Sequence, residues 1–174
     1  MEESSINNTW LEFVGYKIVN ISCDVMPIVG LLMENATRNN AEWAFSTGFS
    51  PITSITGESP SYVVTFGMKA DFIGNDNLPK NTEKPYISAV GAISGIFRID
   101  VEEKLLPKAE EQLKVQGPAI LAPFLRAAMT SVLSISGFSG IIFPLINVYD
   151  LAKKEPFEII RQDTSEPAEA IKHE

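Results

Sequence analysis

Between residues 62 and 72 apolar and polar side chains alternate. Tyr62, Val64, Phe66, Met68, Ala70 and Phe72 share one face of an extended chain, and Thr65, Lys69 and Asp71 share the other. That period belongs to a strand packed on one side and wetter on the other. Trp43, Phe45, Thr47 and Phe49 alternate in the same way, and Thr56-Gly57-Glu58-Ser59-Pro60 supplies turn residues between the two runs. An antiparallel pair is predicted. A third run, Tyr86 to Val101, puts Ile87, Ala89, Ile93, Phe97 and Ile99 on one face, with Gly91 and Gly95 where a bulky neighbour can approach closely. The turn Asn75-Asp76-Asn77-Leu78-Pro79 sets it off. The earliest run, Phe13 to Cys23, is rich in β-branched and aromatic residues, and the segment from Met26 to Ala41 that leaves it is too long for a tight hairpin. Strand one is therefore expected to cross over something before strand two begins.

After Val101 the period changes. Glu102–Gln116 is charged and contains Pro107, which predicts a short helix or ordered loop leading to Gly117-Pro118. From Ala119 to Ile135 the residues Leu121, Leu125, Ala128, Val132 and Ile135 make one helical stripe, and Ile120, Phe124, Met129 and Leu133 extend it nearly all round. Only Arg126, Thr130, Ser131 and Ser134 interrupt it, so this helix needs cover on more than one side, and a second subunit is one source. Ser136-Gly137 should end it, Phe138–Ile146 reads as an extended apolar connection, and Asn147 or Asp150 could start a short last helix through Ala152. Ala127–Tyr149 carries no charge, but Gly137, Gly140 and Pro144 break it where a bilayer span needs a continuous helix. A buried, broken segment and no stable membrane insertion are expected.

Composition narrows the chemistry. The 174 residues carry a net charge of −8, and a pI near 4.7 argues against nucleic acid as a partner, since phosphate binding needs clustered Lys and Arg. One Cys (Cys23) and one His (His173) are too few for a zinc site of His and Cys ligands, and His173 lies too near the C-terminus to anchor a catalytic triad. A lone Cys and the lack of a basic-then-apolar start at Met1–Leu11 suggest a reducing compartment, with the cytoplasm the simplest address. Asp71 with Asp76, and Glu110 with Glu111, are carboxylate pairs without a companion base, nucleophile or metal-ligand spacing, and read as solvated faces. Gly91 and Gly95 lie inside a strand pattern, so neither opens a phosphate-binding loop. Trp10 and Trp43 read as core residues ahead of ligand-stacking ones, and Cys23 as a small buried apolar residue ahead of a redox centre. No catalytic residue, metal or cofactor is expected. The surplus is apolar: Phe138, Ile141, Ile142, Phe143, Leu145 and Ile146 fit neither a helical nor an alternating pattern, so they belong either to the core or to a groove open to solvent.

Several short motifs resemble one family. Leu121-Ala122-Pro123-Phe124-Leu125-Arg126, followed by Thr130-Ser131 and Gly137-Phe138, resembles the Leu-Phe-Pro-Tyr-Ala-Arg helix start and later Gly/Phe turn of the SecB protein-export chaperones. Gly95-Ile96-Phe97-Arg98-Ile99 resembles their Gly-Ile-Phe-x-Ile, and Asn147 with Leu151 is similar to the Asn-Phe-Asp-Ala-Leu that begins their last helix. The resemblance spans about Phe13 to Lys153. It implies an α+β fold: a four-stranded antiparallel sheet with a long crossover after strand 1, backed by a long and a short C-terminal helix. A single domain over 1–153 would be followed by an acidic, mobile tail at 154–174. It also implies a homotetramer, built as a dimer of dimers, that holds unfolded or precursor polypeptides without ATP for protein export.

Carried onto this chain, the family's client groove falls on Ile28, Leu31, Leu32, Trp43, Phe45, Phe138, Ile141, Phe143, Val148 and Leu151, and its oligomer contacts on Leu121, Phe124, Leu125, Ala128, Met129 and Val132. The pattern departs at Ala127, where the family has an acid, at Ser139, where it favours Pro, and at Pro144, displaced by one position. The first-strand acids by which the family meets the SecA motor fall near Ser22 and Met26 here, and only Asp24 lies between them. A SecB-like chaperone for a dedicated client such as an antitoxin is the first alternative. A small-molecule-binding or enzymatic α+β domain with a closed pocket is the second, and a subunit whose apolar surface one fixed partner covers is the third.

Overall fold

The computed structural model describes residues 10–27, 41–50, 52–55, 60–76, 78–138, 143 and 159–162. The alternating runs become strands: β1 (Leu11–Val25), β2 (Glu42–Phe49), β3 (Ile52–Ile55), β4 (Ser61–Gly74) and β5 (Ile87–Ile99). A single turn of 3-10 helix (Glu103–Leu105) leads into helix α1 (Leu106–Ile135), and β6 (Ile159–Gln162) follows. The sheet order is β1-β5-β4-β3-β6, with β2 also paired to β4. Trp43 pairs with Phe72 and Phe49 with Phe66 in the expected antiparallel ladder of β2 and β4. β1 lies at the far side of β5, two strands from β2, so the crossover after strand 1 is present.

The sheet departs from the expected four antiparallel strands: the described residues form six, and it is mixed. Two causes account for this. The strand expected as one element at Trp43–Phe49 continues after a break as β3, which takes up the pairing with β4 at Val63, Tyr62 and Ser61. Ile159–Gln162, within the stretch expected to be a mobile tail, pairs in parallel with β3, because it carries a short β-branched pair, Ile159-Ile160, that can extend an open sheet edge.

α1 lies across one face of the sheet. Tyr62, Phe66, Phe72, Ile87, Ile93 and Phe97 from the strands meet Leu113, Leu121, Leu125 and Met129 from the helix, all nearly or completely buried. Gly91 and Gly95 make the seat. A Cβ at Gly95 would lie 2.7 Å from a Leu121 methyl, and one at Gly91 3.0 Å from Leu125 and Met129. The opposite face is wetter, with Thr65 and Ser94 hydroxyls 2.6 Å apart and Lys69 paired to Asp71 at 2.7 Å.

The helix begins thirteen residues earlier than the pattern from Ala119 implied and runs through Gly117-Pro118 and Pro123. Pro118 removes one backbone donor, yet it is buried, and the flanking Leu113 and Leu121 are fully buried against the sheet, so packing outweighs the local break. The end is as expected. Gly137 takes φ 92°, its N–H donates to the Ser134 carbonyl (3.1 Å), and the Phe138 N–H donates to Leu133 (2.8 Å), a Schellman closure that needs glycine. By length and composition Glu103–Ile135 could span a bilayer; here one side of it is laid on the sheet. The short last helix expected after Asn147 lies outside the described residues.

Candidate functional site

β2 forms one border of the sheet. Its inner ladder bonds go to β4, and no described strand pairs with its outer edge. Period-two alternation sends Trp43, Phe45, Thr47 and Phe49 to the helix side, where they stand in a row. Trp43 and Phe45 stack at 6.3 Å, Trp43 meets Phe72 at 5.4 Å, and Phe49 meets Phe66 at 5.3 Å. Phe143 closes the row edge-on to Phe45 at 5.6 Å. Arg126 holds it there by donating from Nη2 to the Phe143 carbonyl at 3.0 Å. Phe45 remains 37% exposed and Trp43 half-buried, whereas Phe138 and Phe143 are buried in the core cluster. A main-chain edge to which no described strand pairs thus runs beside an aromatic row, an arrangement that can add an extended peptide as a further strand and receive its alternate side chains.

Of the groove positions expected from the sequence, the structure brings Trp43, Phe45 and Phe143 together and puts Phe138 under the end of α1. Ile28, Leu31, Leu32, Ile141, Val148 and Leu151 lie outside the described residues. Of the expected oligomer positions, Leu121, Leu125 and Met129 are already buried against this chain's own sheet, while Phe124, Ala128 and Val132 retain exposure. Phe124 stacks on Tyr16 at 4.6 Å and lies 6.2 Å from Phe13. Tyr16 is half exposed on the long border strand β1, and the sequence reading did not single it out; the bulges of β1 at Phe13/Gly15 and Ile18/Asn20 obscure its period.

Asp24 lies on the wetter sheet face, where it lines an open cavity of about 620 Å³ with Met26, Pro27, Lys69, Lys84, Pro85 and Ser88 among its neighbours. That surface is mixed in charge. Cys23, half-buried beside it in sequence, has its thiol pKa pushed up mainly by burial.

A second polar group was missed. Glu110, expected with Glu111 on a solvated face, is buried, while Glu111 is exposed and pairs with Lys114. The Tyr62 hydroxyl donates to Glu110 Oε1 at 3.0 Å, and Arg161 of β6 approaches the same oxygen at 3.6 Å. Burial, then the bond to Glu110 and its negative charge, push the Tyr62 pKa up to about 12, partly offset by a hydrogen bond with Ser54. The signal was present in the spacing: Leu106, Glu110, Leu113, Gly117 and Leu121 share one helical face.

A mixed sheet with one long helix seated on it, a border strand bearing aromatics and a long apolar β1 border define a SecB-like α+β fold. Among solved structures the chain is similar to the Mycobacterium tuberculosis SecB-like chaperone Rv1957, determined in complex with a ChAD peptide from the Rv1956 HigA1 antitoxin. The TM-score is 0.52 at 10% identity, over 79% of this chain and 91% of that one. No family model matches the sequence, and no curated protein matches it significantly.

Proposed function

We propose that this protein is an ATP-independent chaperone that holds extended polypeptide segments by strand addition at β2, with apolar side chains seated on Trp43 and Phe45, which the buried Phe143 backs. The single observation that carries this reading is the coincidence of exposed aromatic surface with a strand edge to which no described strand pairs, which supplies main-chain affinity with little sequence demand. Several such weak contacts per assembly would hold a client long enough to slow aggregation. No covalent step is part of the mechanism.

The likeness to a chaperone solved with an antitoxin-derived peptide supports a dedicated polypeptide client ahead of general export. The surroundings of Asp24 agree, because Lys69 and Lys84 beside it make a poor acidic platform for a SecA-like motor. Assembly as a homotetramer belongs to the same proposal, with contacts through the exposed Tyr16 and Phe124 and the half-buried Ala128 and Val132. The test is suppression of aggregation of a chemically unfolded protein. Phe45→Asp places a charge on the open row, and should abolish holding while leaving the far-ultraviolet circular dichroism and solution mass unchanged. Full activity in that variant would remove β2 from the site.

A further inference from the structure

β6 has the properties of a displaceable occupant. It is four residues long, it makes the only parallel pairing among the described strands, and it sits on β3, which follows β2 along the same side of β4. Ile159 is half-buried against the core, Ile160 is exposed, and Arg161 reaches the buried Glu110 only at 3.6 Å while itself remaining largely in solvent. Beyond its short ladder to β3, the described residues anchor this strand by one half-buried apolar side chain and one long ion pair, a weak hold.

We infer that β6 is an intramolecular strap that covers the β3 end of the peptide-addition edge, and that an extended polypeptide segment displaces it to run continuously along β2 and β3. The strap takes the place of a client strand in the resting chain, satisfying the β3 backbone and covering Ile52 and Ser54. Release of Arg161 from Glu110 frees the edge while Tyr62 keeps its hydrogen bond to the same carboxylate. This inference rests on the strand-addition reading for the identity of the incoming segment.

The experiment uses the full chain with two kinds of variant. Thr53 and Ile160 are register partners across β3 and β6, so Thr53→Cys with Ile160→Cys, in a Cys23→Ser background, allows the strap to be locked by oxidation and freed by reduction. Arg161→Glu weakens it. The probe is a fluorescent extended peptide containing Ile-Ile-Arg-Gln, followed by anisotropy. Reduction of the locked protein should raise probe affinity at least ten-fold, and Arg161→Glu should raise it roughly five-fold, the effect of an ion pair worth about 1 kcal/mol. Equal binding in the oxidised and reduced states overturns the strap. A disulfide-linked dimer on a non-reducing gel also overturns it, since β6 would then come from a second copy. If aggregation suppression is absent in both states while probe binding still responds to reduction, the strap stands and the chaperone reading falls; the converse result separates them the other way.

Discussion

Gly117 sits in the interior of α1, where replacement by Ala should gain about 1 kcal/mol of helix propensity. The seat on the sheet opposes this. A Cβ at Gly117 would lie 3.0 and 3.1 Å from the two Val64 methyls and 3.4 Å from the Val64 Cβ. Val64 is 1% exposed in the first half of β4, and its branched side chain has little rotameric freedom to move aside. Overpacking of this kind costs about 1 to 3 kcal/mol, so Gly117→Ala should destabilise by about 1 kcal/mol net. Val64→Ala should itself cost about 2 kcal/mol, but it removes both offending methyls. In that background Gly117→Ala should become stabilising by about 1 kcal/mol, a coupling of about 2 kcal/mol. Urea denaturation of the four proteins, followed by circular dichroism, completes the cycle. If Gly117→Ala stabilises the parent by its full propensity, with no coupling to Val64→Ala, the helix is not seated on β4 at this point.

Arg126→Met removes a charge-assisted hydrogen bond to the Phe143 carbonyl and should lower stability by about 1 to 2 kcal/mol, with faster amide exchange around Phe143 measured by mass spectrometry. Tyr62 should remain protonated until pH about 12. Its contribution to stability is fully present below the ordinary tyrosine pKa near 10 and is lost as pH rises toward 12. Phenolate absorbance should show this late step, and Tyr62→Phe should delete it. Phe124→Asp, on the surface shared with Tyr16, should lower the solution mass measured by light scattering below that of the parent assembly without loss of the helix signal; an unchanged mass would remove this surface from the interface.

β2, β4 and β5 were legible because each has one packed face, and a two-residue period survives wherever a single face is buried. The glycines of β5 were legible for a related reason: at Gly91 and Gly95 only a missing side chain lets Leu121, Leu125 and Met129 reach the sheet. The start of α1 was not, because the local signal of Gly117-Pro118 points to a break and is overruled by burial on both sides of it. Glu110 was misread because its neighbour Glu111 made the pair look solvated, whereas the fold divides them between the two faces of one helix. β6 was hidden in a charged tail, since four residues carry too little pattern to mark a strand. At the site, Trp43 and Phe45 could be placed on a common strand face from the sequence, but their meeting with Phe143 depends on a long-range contact fixed by Arg126.

The most direct test of the account is backbone amide exchange along the sheet border, measured with and without an unfolded client. Strand addition predicts new protection at Glu42–Phe49, with little change on the wetter face around Thr65, Lys69 and Ser94. Protection confined to that opposite face, or none at β2 under conditions where the client is bound, would contradict it.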